Sequence, residues 1–135
     1  MATTDVQVQF NAALDQVEGI APSPVTLVGT WITVNPATRG IVKIVISGAG
    51  NTLMVHAYGA CSPTPCDWGQ VKGHTYGPDV STPRAVAFTA NYSFGFKSTL
   101  LAGHLQNGML VVESFDAFAA GDTRSDYYSV GQFHR

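Results

Sequence analysis

The chain predicts an all-β fold, an eight-stranded antiparallel up-and-down barrel preceded by one N-terminal α-helix. Three observations carry that expectation. With 135 residues, 45% hydrophobic and only 12% charged, the chain has enough apolar material for one domain with its own core. Its fourteen glycines and seven prolines punctuate it at short intervals, as turns between strands require. Between those breaks lie eight Val-, Ile-, Thr- and aromatic-rich runs, the residue types that fit a pleated surface.

The first element differs from the rest. From Asp5 to Glu18, Phe10, Ala13, Leu14 and Val17 recur at helical spacing, with Thr4 or Asp5 as N-cap and Gly19 as the stop. Residues 1–24 are thus expected to be an amphipathic helix and a connector, Ala21-Pro-Ser-Pro24, in which proline excludes helix; residues 25–135 form the barrel domain. The apolar stripe must be covered, either by capping one end of the barrel or by meeting the same stripe of a second subunit in a homo-oligomer.

The eight strands are expected at 28–34, 41–47, 52–60, 68–76, 85–94, 98–106, 109–118 and 125–133. Their breaks carry turn chemistry: Asn35-Pro36 with Arg39-Gly40, Gly48-Ala-Gly-Asn51, the proline loop 62–65, Gly77-Pro-Asp79 with Pro83, Gly95, Asn107-Gly108 and Gly121-Asp122. Asn107-Gly108 is the sharpest, a two-residue hairpin signal between two apolar runs. Short connections make sequential strands pair, and eight strands in sequence close into a barrel without exposed edges.

Alternation assigns the faces. With Lys43 and Ser47 in water, Val42, Ile44 and Ile46 point inward; Val86, Phe88, Ala90, Tyr92 and Phe94 do so on the fifth strand, and Leu110, Val112, Ser114, Asp116 and Phe118 on the seventh. Of Tyr127 and Tyr128, one ring goes to each face and one is expected in the core. A barrel of this size is either filled by side chains or holds one small ligand, and an apolar lining with sparse polar groups suits the latter. The expected ligand-binding residues are Phe88, Tyr92, Phe94, Ser114 and Asp116, around a small, mostly apolar ligand.

Cys61 and Cys66 enclose Ser62-Pro-Thr-Pro65, a spacing that a turn brings within disulfide range; a disulfide there would fix the loop and point to an oxidising compartment. Next to it, Tyr58 and Trp68 offer an alternative surface site, aromatic faces for a carbohydrate. A third reading is a cofactor-free isomerase or cyclase, with Asp116 paired to Tyr92 or His104 in the lumen.

Other classes are excluded. Seven Lys+Arg against nine Asp+Glu, a net charge of -2 spread along the chain, leave no basic stripe for nucleic acid or an anionic membrane. No window approaches the apolar length of a membrane span, and the N-terminal residues lack signal-peptide character. His56, His74, His104 and His134 have no paired spacing on one element, so no metal is expected; no phosphate loop, Gly-x-Ser-x-Gly or calcium pattern is present, and no cofactor is expected.

Gly29-Thr-Trp31 at the start of the first strand resembles the Gly-x-Trp that opens the barrel in lipocalins and avidins, of the calycin group. The resemblance implies a tryptophan packed at the closed end against a basic residue of a late strand, a role for Arg124 or Arg135. Residues of about 30–70, with Cys61-x-Pro63-x-x-Cys66-Asp67-Trp68-Gly69, also resemble an uncharacterised bacterial β-domain, which implies a fold unit and no activity.

Overall fold

The computed structural model describes residues 21–135; the Asp5–Glu18 helix expectation lies outside them. After a short 3-10 turn, Pro24–Thr26, the chain forms β1 (Gly29–Thr33), β2 (Ile41–Ala49), β3 (Thr52–Gly59), β4 (Cys66–Tyr76), β5 (Ala87–Ser93), β6 (Lys97–Gln106), β7 (Met109–Phe118) and β8 (Tyr127–His134). Each strand pairs antiparallel with the next, and β8 returns to β1, closing the barrel. The up-and-down barrel and all eight strands agree with the sequence expectation.

One end of the barrel is stoppered. Ser23 caps the 3-10 turn, and Pro24 at its start supplies a preset φ and needs no donor partner. The turn drops Leu27 over the end of the core, where Leu27 and Trp31 are both fully buried. The indole Nε1–H of Trp31 donates to the Leu27 carbonyl at 2.9 Å. Arg135 lies over the ring, its guanidinium carbon 4.3 Å from the centroid, and donates through Nη1 to the Thr26 and Val28 carbonyls at 3.1 and 3.0 Å. Arg135, not Arg124, therefore closes this end. Gly29 is required beneath it: a Cβ there would sit 2.8 Å from Arg135 Cδ.

Above the stopper the lumen is packed. Ile44, Ile46, Leu53, Val55, Phe88, Leu101, Leu110, Val112 and Phe133 are at most 2% exposed, and large residues sit against small ones. Phe88 on β5 lies over Gly103 on β6, where a Cβ would fall inside its ring.

Three face assignments change. A β-bulge between Ile41 and Lys43 shifts the β2 register, so Ile41 takes the buried place expected for Val42. β5 starts only at Ala87; before it, the Ala85 N–H bonds to the Ser23 carbonyl, turning Ala85 into the core and leaving Val86 36% exposed. Tyr127 and Tyr128 are 50% and 54% exposed, so neither is core, because the barrel wall is incomplete beside β8.

Candidate functional site

The end opposite the stopper is split into a packed half and an open half. Strand register sets its layers. Across β5 to β8 the inward residues pair as Tyr92, Thr99, Asp116 and Tyr127 nearest the mouth, then Ala90, Leu101, Ser114 and Ser129, then Phe88, Gly103, Val112 and Gly131.

The packed half lies over β3 to β6. A register shift between His56 and Tyr58 bulges the β3–β4 pair, and Trp68 turns inward. Its ring meets Tyr92 and Phe94 edge-on at 5.5 and 5.3 Å, while Tyr92 and Phe94 stack at 5.6 Å. The Tyr92 hydroxyl accepts from the Ala57 N–H at 3.0 Å and donates to the Gly69 carbonyl at 2.7 Å, with the Val55 carbonyl at 3.1 Å. It thus supplies partners to backbone groups that the bulge releases from the ladder. Burial pushes its pKa above the ordinary phenol value, opposed by the Ala57 N–H.

Tyr92→Phe should therefore cost about 2 kcal/mol, because it leaves a buried N–H and C=O without a partner while preserving the ring. Denaturant unfolding of the two proteins checks this; a loss below about 0.5 kcal/mol would mean that the hydroxyl does not brace the bulge.

Lys97 and Asp116 complete this half. Asp116 is 5% exposed, accepts a hydrogen bond from Thr99 Oγ1, and lies 3.3 Å from Lys97 Nζ. The same ammonium group is 5.8 to 6.0 Å from the ring centroids of Phe94, Phe96 and Trp68. At the rim Arg124 stacks over Phe118 at 4.4 Å and binds both Asp122 carboxylate oxygens, at 3.0 and 2.7 Å.

The Arg124 side chain, then its backbone N–H, hold the Asp122 pKa down to about 2. A carboxylate depressed in this way contributes stability above its unfolded pKa, and the contribution fades as pH falls through the folded value. Asp122 should titrate by NMR near pH 2. Between about pH 4 and 2 the wild type should lose more stability than Asp122→Asn; equal losses would contradict the pairing.

The open half follows from the shortness of β1. Only Ile32 and Thr33 pair in register with β8, opposite His134 and Phe133, and one more bond, from the Val34 N–H to the Gln132 carbonyl at 3.0 Å, precedes the turn at Asn35-Pro36. Local bonds set that turn: Asn35 Oδ1 accepts from the Ala37 N–H, and Thr38 Oγ1 from the Gly40 N–H, both at 3.1 Å. β8 runs on beyond the pairing, so its Tyr127–Val130 segment is exposed. The gap holds a cavity of about 400 Å³. It is lined by the apolar Ile41, Val112 and Phe133, by Thr33, Ser114 and the Tyr127–Gln132 stretch of β8 apart from Tyr128, and by the 34–40 loop with Arg39.

Of the expected lumen residues, Ser114 lines this cavity. Phe88 is packed below it, and Tyr92, Phe94 and Asp116 belong to the packed half. The cavity walls from β1 and β8 and Arg39 on the loop were missed; the inward alternation of Tyr127, Ser129 and Gly131 was the available signal. Tyr58 and Trp68 lie on opposite faces of the wall: Tyr58 stacks outside on His56 at 4.6 Å, beneath Lys43 at 4.3 Å. Outside, too, His56 Nε2 lies 2.5 Å from Asp67, whose pKa is lowered by the Gly69 N–H and then by His56.

The acid–base pairing considered for Asp116 is not assembled. Tyr92 directs its hydroxyl to the β3–β4 backbone, and His104, on the outer face of β6, faces Gln106 at 3.3 Å. Cys61 and Cys66 form a disulfide. Among the described residues no group of three or more His, Cys, Asp or Glu is placed to hold a metal, and no helix is long and apolar enough to cross a membrane.

Comparison with family models, curated proteins and solved structures gave no match. The site is therefore read from its own geometry.

Proposed function

We propose that the protein is a calycin-like small-molecule binder that takes a mostly apolar ligand into the open half of its lumen. The carrying observation is the cavity itself: a recess lined by Ile41, Val112 and Phe133 and reached through the β1–β8 gap, in a barrel packed elsewhere. The Trp31–Arg135 stopper at the opposite end supports the calycin-like reading and makes the gap side the entrance. The Cys61–Cys66 disulfide supports an oxidising compartment. The interior offers placement and desolvation, which supports binding.

Native mass spectrometry of freshly purified protein tests this, with uptake of the neutral fluorophore N-phenyl-1-naphthylamine. Ser129→Trp, which projects an indole into the cavity, should weaken uptake at least tenfold, while Val80→Thr, on an exposed loop outside the cavity lining, should not. Uptake that is unchanged in Ser129→Trp, or absent from the wild type, would overturn the reading.

A further inference from the structure

The cavity also constrains the chemistry of its occupant. Among the described residues Arg39 is the only charged one on the lining, no carboxylate lies there, and Arg39 makes no ion pair. The other polar side chains of the lining are neutral. Asn35 has committed its amide oxygen to the Ala37 N–H, which leaves its NH₂ to give. Ser114 is 8% exposed and lines the cavity. The nearby Asp116 does not offset the positive charge, because Lys97 and Thr99 already engage it.

We infer that the ligand is an amphiphilic carboxylate. Its acid group pairs with the Arg39 guanidinium on the cavity lining, and its apolar chain lies on Val112, Phe133 and Ile41. The guanidinium suits this because it is permanently charged and presents a fork of donors to two carboxylate oxygens. The inference rests on the lumen-binding reading and adds the sign and geometry of the head group.

The test uses the full chain and three probes of equal chain length, octanoate, octanol and octylamine, competing against N-phenyl-1-naphthylamine. Octanoate should displace the fluorophore at about tenfold lower concentration than octanol, and octylamine should be the weakest. Arg39→Gln, on an exposed loop, should bring octanoate to the level of octanol and leave octanol unchanged; added salt should narrow the wild-type difference. Equal displacement by octanoate and octanol, or a preference that survives Arg39→Gln, would overturn the carboxylate assignment while leaving lumen binding intact. Failure of every probe to enter the wild type would overturn both.

Discussion

Trp31→Ala should lower unfolding stability by about 4 kcal/mol, the upper part of the range for deleting a large buried aromatic. Trp31 is fully buried, with its indole N–H on the Leu27 carbonyl and the Arg135 guanidinium over its ring. The substitution removes the packing, the indole hydrogen bond and the cation–π contact together. Arg135→Ala should cost less, about 1 kcal/mol, because the ring remains buried. Urea unfolding of the three proteins checks both figures. A Trp31→Ala loss below about 1 kcal/mol would mean that this end of the barrel is not a packed stopper.

Lys97→Met should be the second most damaging change, about 3 kcal/mol at neutral pH. The methionine keeps most of the apolar stem against Trp68 and Phe94 but leaves the Asp116 carboxylate buried with only the Thr99 hydroxyl. Removing one partner of a buried ion pair costs more than the pair contributes, because the surviving charge is stranded away from water. Asp116→Asn in the same chain should recover most of the loss, since the amide oxygen still accepts from Thr99 and no charge remains. Strong coupling between the two substitutions in a double-mutant cycle is the expected signature; additive losses would contradict a direct ionic link.

The barrel was legible because its evidence is local. Each turn carries its own chemistry, and Asn107-Gly108 lies where β6 hands over to β7, with Asn107 at φ 53 and Gly108 at φ 78. Alternation correctly turned Ser114 and Asp116 inward, where both are buried. It failed at Val42 and Val86 because a bulge and a late strand start change register without a signal in the apolar pattern.

The candidate site was less legible, since alternation says which residues face the lumen and not how far the lumen is filled. Only the alternative carbohydrate-site reading put Trp68 on the surface. Trp68 fills half of the mouth because the β3–β4 bulge, braced by a tyrosine 24 residues further along the chain, turns it in. The cavity exists because β1 stops at Thr33, and that stop depends on how Asn35 and Thr38 bond within their loop. Both causes are contacts between distant or non-periodic residues, which a reading of strand patterns does not contain.

The central claim is that the open half of the lumen, rather than the aromatic packed half or the outer face, receives the ligand. Backbone amide NMR of the uniformly labelled protein, titrated with N-phenyl-1-naphthylamine, tests it most directly. The account predicts saturable shifts concentrated at Val112, Ser114, Ser129, Gly131 and the 34–40 loop, with Tyr92, Phe94 and Tyr58 nearly still. Shifts centred on Phe94, Phe96 and Trp68, or on outer residues such as Tyr58 and Phe115, would contradict it.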